Sequence, residues 1–442
     1  MTAQSTDADQ STADAVALPR VRRRARHRKP RGRAVPSGIA VAAGNASGIV
    51  LGMASGIITA RVLGPTDRGE FVATQTISSV VGVVLTLGVT QAVVIDRGTD
   101  DDLIGPLLAQ VTTVALAGTA LFGLLAATRT QPWLNVPAVL GATAATTGTV
   151  CASLASGMAQ RRSRMTGEFQ IVRLLPLLGG LLLLSIAWST GTRNIGIWIL
   201  CSGAGILIPA VGVLVWTLGG KPGLRRIHRL VPSRALTRGA LAALPTAVGA
   251  QVIYRLDSVV IAISLPTASV AFYGIAATAS LACTALGQAV GMVAFSRLRG
   301  ANGPEHQRIL VRRGVQWALT IAAGVAIPIA VLAPRLIKFG YGRDFLPATG
   351  PTRILVLAAI PLSADYLLIH ALLSLAGQRS VYLTQAMVGA LTIGGLWVTV
   401  PTENLALIAT ASVVAYTLSA ALLFSAVLRR TAPVRAASAK QA

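Results

Sequence analysis

The sequence predicts an all-α polytopic membrane protein, with about twelve transmembrane helices in two six-helix bundles around a central cavity. Three observations predict it. Hydrophobic residues make up 53% of the 442-residue chain and charged residues only 12%, with a mean hydropathy of +0.66. A soluble domain carries about twice that charge fraction. Apolar runs of about 20 residues, the length that crosses a hydrocarbon core about 30 Å thick, recur along the whole chain. Finally, the basic residues gather in alternate loops, as the positive-inside rule requires of a multi-pass protein.

Residues 1–36 are polar and then basic, with Pro30 and Pro36, and read as a disordered cytoplasmic tail. Run length then delimits spans at 38–60, 72–95, 104–127, 134–158, 169–188, 195–218, 239–263, 269–295, 313–336, 351–376, 381–400 and 404–428. The even-numbered loops carry Arg161, Arg162 and Arg164, then Lys221 to Arg238, then Arg297 to Arg313; the odd-numbered loops carry few basic residues. That bias puts both termini in the cytoplasm, including the 429–442 tail with Arg429, Arg430, Arg435 and Lys440. The loop at 96–103, where four aspartates outnumber Arg97, does not overturn it, because acidic residues contribute little to orientation. Trp133, Trp188, Trp198, Trp216, Trp317 and Trp397 fall at or near span ends, as expected of interfacial rings.

The chain divides into an N-terminal bundle (37–218), a basic linker (219–238) and a C-terminal bundle (239–428). An offset of about 201 residues aligns Pro65-Thr66 with Pro266-Thr267 and Phe71 with Phe272, each just after the first helix of its half. Repeats of this kind are a transporter architecture, with the substrate held between them.

The net charge of +24 and the run from Arg20 to Arg33 raise nucleic acid as a partner. The run has no interleaved aromatics and abuts the first span, which assigns it to membrane orientation and anionic lipid headgroups instead. Cys151, Cys201 and Cys283 lie within spans without metal spacing and read as buried small hydrophobes. Only one histidine, His370, lies in a span, so no metal site is expected. No cofactor is expected, and no nucleophile–base constellation marks an enzyme.

The stretch Arg61-Val62-Leu63-Gly64-Pro65 through Gly69-Glu70-Phe71 resembles the "R-x-L-G-P…G" segment of the polysaccharide/O-antigen (Wzx-type) flippases of the multidrug/oligosaccharidyl-lipid/polysaccharide exporter superfamily. Arg255-Leu256-Asp257 with Ser269 to Tyr273 resembles that family's seventh-helix aspartate and eighth-helix opening, with Ala271 where glycine is common. Phe339 to Ala348 resembles its loop after helix nine, and Leu375 to Arg379 the turn after helix ten. The resemblance runs from 38 to 428 and implies two helical bundles, alternating access and, as cargo, a polyprenyl-diphosphate-linked glycan crossing the bacterial cytoplasmic membrane.

Such a cargo sets one physical problem, its headgroup. Sugar hydroxyls without partners cost several kcal/mol each in hydrocarbon, about 2–7 by transfer measurements, and phosphates far more. Intramembrane polar residues are therefore the candidates. Gln251, Tyr254, Arg255 and Ser258 are spaced to share one helical face, with Arg255 expected to hold phosphate through its forked donors. Arg61 is either a second phosphate ligand or a snorkelling side chain, and Asn45 is a cavity candidate. Arg173, Arg335 and Arg353 are expected to snorkel. Asp365 and Asp257 are candidates for a coupling ion, a proton or sodium; otherwise Asp365 is a buried neutral acid and Asp257 an ion-pair partner of another helix. Gly44, Gly48, Gly52 and Gly56 form a stripe expected to allow close helix packing. Pro245, Pro328 and Pro361 predict kinks or breaks.

Three other functions compete. A cation-coupled multidrug exporter would line its cavity with acids, and these spans hold more arginines. A major-facilitator permease would carry a basic loop after its second helix, where this chain has Asp96-Arg97-Gly98-Thr99-Asp100. A membrane enzyme or scaffold would need an extramembrane domain or a paired-carboxylate loop motif, and neither is present.

Overall fold

The first two helical runs of the chain meet at Gly64. A glycine accepts positive φ without a Cβ penalty, and the residue before a proline is pushed out of the helical region. In the computed structural model Gly64, followed by Pro65, has φ 72° and ψ −177°, outside the helical region, so that two helical runs meet there at a kink. The structure describes residues 37–86, 88–95, 101–128, 134–162, 167–219, 234–299, 303–375 and 377–431, without the side chains of 37–43, 95, 101, 235, 245–254, 285–299, 304 and 378. The predicted tail at 1–36, most of the 219–238 linker and most of the 429–442 tail therefore lie outside the described residues.

Twelve helices follow in order among those residues: α1 (Ser37–Leu85), α2 (Val89–Ile95), α3 (Asp101–Ala127), α4 (Val136–Arg161), α5 (Glu168–Ser189), α6 (Ile195–Thr217), α7 (Arg234–Ser264), α8 (Thr267–Arg299), α9 (Pro304–Gly340), α10 (Thr349–Ser374), α11 (Gln378–Thr399) and α12 (Leu405–Arg430). A short 3-10 helix, Arg343–Ala348, precedes α10. The described residues contain no strand. Ten helical stretches are long and apolar enough to cross a membrane, with α1 counted once. Its 42-residue apolar part would reach about 63 Å if straight, twice a hydrocarbon core. Bent at Gly64, α1 crosses twice and supplies the first two predicted spans. With α7 added, the crossings come to twelve.

Alternation places Gly64, the α7–α8 turn and the starts of α4, α6, α10 and α12 on one face of the molecule. Asparagine caps three of those starts. Asn135 accepts from the Ala138 amide, Asn194 from Gly196, and Asn404 from Ala406 and Leu407. Each satisfies donors that a helix N-terminus cannot pair internally.

With α1–α6 taken as the first lobe and α7–α12 as the second, the tightest packing within each is α4 on α6 and α8 on α10, and the two meet where α1 packs on α8 and α7. The first lobe is held at close range by glycines. A Cβ on Gly203 would lie 2.0 Å from the Gly141 carbonyl oxygen, and one on Gly179 would lie 2.3 Å from that of Gly205. Small residues at such crossings let membrane helices gain backbone-close dispersion contact. In the second lobe α10 is the central helix, packed on α9 and α12 through Leu367, Leu368, Leu372, Leu423 and Val427 and on α8 through Val356 and Ala359. Cys151 and Cys283 are buried in apolar cores and all three thiols are free.

Four expectations change. The glycine stripe of α1 is a close-packing seam at one end only: a Cβ at Gly44 would fall 1.6 Å from Gln170 Oε1 of α5, whereas one at Gly52 would meet nothing within 4 Å, and Gly48 and Gly52 border a cavity. Trp198 is fully buried, its ring N–H donating to the Thr192 carbonyl at 2.9 Å, whereas Trp188, Trp216, Trp317 and Trp397 are exposed. The end of the predicted linker, Arg234 to Arg238, is already helical in α7. α9 and α10 continue through Pro328 and Pro361 without a break, and among the described residues the non-helical interruption inside a helix stands at Gly64.

Candidate functional site

Between the lobes lies a cavity of about 510 Å³, walled by α1, α5, α6, α7 and α8. A chamber of about 360 Å³ continues from it toward the Gly64 face, sharing Gly52, Ser55, Gln75, Arg255 and Thr278 as wall residues. A third space of about 280 Å³ shares Arg173. The walls carry hydroxyls and amides, including Ser55, Thr59, Gln75, Thr76, Ser79 and Ser258. Among the described residues three arginines line the system, Arg68, Arg173 and Arg255, and no carboxylate does.

Arg255 is placed by α7, and its guanidinium makes no hydrogen bond or ion pair among the described residues while facing both main chambers. An unpaired guanidinium inside a membrane protein is expensive unless water or an anion meets it. Ser258, one turn on, lines the chamber beside it, as the shared helical face predicts. The Gln251 and Tyr254 side chains lie outside the described ones. Asn45 does line the cavity, and its side-chain oxygen accepts from Arg173 at 2.6 Å.

Arg173 stands elsewhere than expected, whereas Arg61 takes the second of the two places expected of it. Arg173 does not snorkel to an interface: it reaches into the cavity, held by Asn45 and stacked over the Phe169 ring at 5.5 Å. Arg61 is not a cavity residue. Exposed at the rim of the Gly64 face, it donates through Nε to the Gly340 carbonyl at 2.9 Å and through Nη2 to that of Phe339. That ties the bend of α1 to the end of α9. Arg353 is likewise committed, donating to the Ala330 carbonyl at 3.2 Å.

Sequence reasoning missed Arg68, reading it as a loop residue. It is 3% exposed and sits in the lobe-to-lobe contact of the Gly64 face. Its Nη1 donates to the Ala271 carbonyl at 3.1 Å, and its guanidinium lies 5.0 Å from the Tyr341 ring centre and 5.2 Å from that of Phe345. Its Nε has no partner. The neighbouring Gly69 permits this contact, since a Cβ there would fall 1.7 Å from the Thr267 carbonyl oxygen. A glycine beside a lone arginine, within the segment that carried the family resemblance, was the available signal.

The carboxylates are not in the cavity. Asp257, 6% exposed, points into the second lobe, where Tyr273 donates to it at 2.6 Å, Ser412 at 3.2 Å and the Ser258 amide at 2.6 Å. This hydroxyl cage replaces the expected ion pair with another helix. Asp365, 2% exposed on α10, accepts from Ser419 of α12. Tyr416, also on α12, stands within electrostatic reach of both carboxylates and of Arg255. No group of three or more His, Cys, Asp or Glu among the described residues could hold a metal ion.

No protein-family model and no curated protein matches this chain. Solved structures do. The lipid II flippase MurJ in its inward closed conformation aligns with a TM-score of 0.70 at 11% identity, over 89% of this chain and 90% of that one. The inward-facing conformation of a multidrug resistance MATE family transporter of the MOP superfamily aligns with a TM-score of 0.67 at 14% identity, over 89% and 98%. An outward-facing conformation of such a MATE transporter aligns with 0.58 at 15% identity, over 89% and 95%. The chain thus has the two-lobed fold of these membrane transporters and is a multi-pass membrane protein.

Proposed function

We propose that this protein is a flippase that carries a polyprenyl-diphosphate-linked oligosaccharide from the cytoplasmic to the outer leaflet of a bacterial cytoplasmic membrane, for cell-surface polysaccharide synthesis. One observation carries the reading: among the described residues the inter-lobe cavity is lined by three arginines and many hydroxyls and amides, and by no carboxylate. Forked guanidinium donors match phosphate oxygens, and hydroxyls and amides replace the water that sugars lose on entering the membrane. The prenyl chain needs no such wall, because it stays in lipid.

In this reading Arg255 is the principal phosphate ligand, while the Asn45–Arg173 pair meets the cargo in the same cavity. Both termini lie in the cytoplasm, following the loop charges. A cytoplasm-negative potential favours outward movement of the anionic headgroup, by about 2.3 kcal/mol per elementary charge per 100 mV. Asp257 and Asp365, buried in the second lobe and away from the cargo, are the candidates for a coupling proton or sodium ion.

A cation-coupled multidrug exporter is the second reading. The two buried carboxylates favour it as much as they favour a coupled flippase, and the fold is shared with both kinds of transporter. Lipid mass spectrometry on cells depleted of the protein separates them. Accumulation of one lipid-linked glycan with loss of its surface product is expected. Unchanged glycan lipids together with new sensitivity to cationic drugs would remove the flippase reading and install the exporter.

A further inference from the structure

A guanidinium stands where a seal between lobes would ordinarily be apolar. Arg68 belongs to the second half of α1, yet its hydrogen-bond acceptor and both rings it stacks on belong to the other lobe: the carbonyl of Ala271 on α8, and Tyr341 and Phe345 beyond α9. Separating the lobes on this face breaks all three contacts together. Arg61 ties the same seam at its exposed rim, where water competes for its donors. Arg68 is 3% exposed, and the groups it meets are neutral.

The same side chain is also a wall of the 360 Å³ chamber that Arg255 lines, and its buried Nε is unused. A buried cation held only by a carbonyl and two ring faces is under-satisfied. Hydrogen bonds to an ionised acceptor are roughly twice as strong as neutral ones. Any phosphate reaching the end of the chamber would out-compete the Ala271 carbonyl for this guanidinium.

We infer that Arg68 is the latch of the Gly64-face gate, and that a phosphate-bearing ligand opens the gate by drawing the Arg68 guanidinium off Ala271, Tyr341 and Phe345. The inference rests on the anionic-cargo reading above and adds a control to it. Arg255 receives the phosphate, and Arg68 reports its arrival by releasing the lobes. A neutral or cationic molecule filling the same chamber leaves the latch shut, so release is tied to cargo charge.

The test measures the gate directly. Spin labels are placed at Thr66→Cys and Phe339→Cys, exposed positions on opposite lobes of that face, with Cys151, Cys201 and Cys283 replaced by alanine. Electron-resonance distances are read in nanodiscs without ligand and with geranylgeranyl diphosphate, inorganic pyrophosphate or geranylgeraniol. The unliganded protein is expected to give one short distance. Geranylgeranyl diphosphate should move a majority of molecules to a longer one, and geranylgeraniol should move none. Opening by pyrophosphate as well would make phosphate alone the trigger, whereas opening by the prenyl form alone would require a lipid-held phosphate; both support the latch. Arg68→Gln should populate the long distance with no ligand. Should that variant fail to fold, Arg68→Lys and Tyr341→Leu should each show a partial long-distance population.

An unchanged short distance in the Arg68 and Tyr341 variants overturns the latch. Thermal stabilisation by geranylgeranyl diphosphate without any change in distance overturns the phosphate trigger while leaving the anionic-cargo reading standing. Absence of any stabilisation by either diphosphate overturns both. Opening by geranylgeraniol overturns the link to charge.

Discussion

Arginine and aspartate occupy different compartments of this fold. Among the described residues the cavity between the lobes has Arg68, Arg173 and Arg255 on its walls and no carboxylate, whereas Asp257 and Asp365 are buried inside the second lobe among hydroxyls. Arg255 and Asp257 are two residues apart on α7, about 200° around the helix, so one helix serves both compartments. The difference teaches that the cavity arginines and Asp257 are not spent on neutralising each other. An arginine paired with a carboxylate would offer a phosphate little. Placing Arg255 and Asp257 on different sides of α7 leaves the described cavity wall cationic.

The largest expected effect comes from removing the cationic side of that comparison. Arg255→Gln keeps a polar side chain but deletes a guanidinium that makes no hydrogen bond or ion pair among the described residues. Loss of charged hydrogen bonds worth about 1.5–3 kcal/mol would lower affinity for a prenyl diphosphate by roughly tenfold to over a hundredfold. Isothermal titration with geranylgeranyl diphosphate checks it. Unchanged affinity would mean that the cavity arginines solvate water rather than cargo, and the contrast with the carboxylates would lose its functional content.

A smaller and different effect is expected from the anionic side. Asp257→Asn preserves shape and still accepts from Tyr273 and Ser412 through its carbonyl oxygen, so the loss of stability is about 1 kcal/mol, within the range for hydrogen bonds between membrane helices. Prenyl-diphosphate affinity should stay within about twofold of the parent, far less than one tenfold step per 1.4 kcal/mol. Dependence of transport on sodium or on a proton gradient should weaken, read in proteoliposomes with each gradient imposed separately. If Asp257→Asn loses diphosphate affinity as Arg255→Gln does, the two compartments are one site.

How much of the molecule is legible in the sequence divides along the same line. Crossing number, helix order and the polar face of α7 follow from run length and 3.6-residue spacing, so spacing alone puts Arg255 and Ser258 together on one face. The caps at Asn135, Asn194 and Asn404 begin helices close to where run length puts them. Spacing does not say what a face meets. Arg173 and Arg61 are both arginines near the ends of apolar runs, and only the packing of α1 against α5 and α9 shows that Arg173 enters the cavity and Arg61 does not. Arg68 is hidden for a further reason: Gly64-Pro65 signals a turn, yet the chain resumes a helix at once and buries the residues that a loop would have exposed. The glycines of α1 carry the same lesson, since a missing side chain makes room equally well for a neighbouring helix and for a cavity.

Arg61 supplies the smallest effect and the sharpest control. It lies on the same helix as Arg68, carries the same charge and also binds carbonyls of the opposite lobe, but it is exposed and lies off the cavity wall. Exposed polar contacts exchange freely with water, so Arg61→Gln should change stability by no more than about 0.5 kcal/mol. Diphosphate affinity should be unaltered, checked by thermal melting and the titration used for Arg255. A large loss of affinity in Arg61→Gln would mean that charge anywhere on α1, rather than charge on the cavity wall, attracts the ligand. Long-range attraction of that kind fades beyond a Debye length of about 8 Å at physiological salt. Repeating the titration at raised ionic strength would expose it: contact with a cavity arginine resists screening, and attraction from the rim does not.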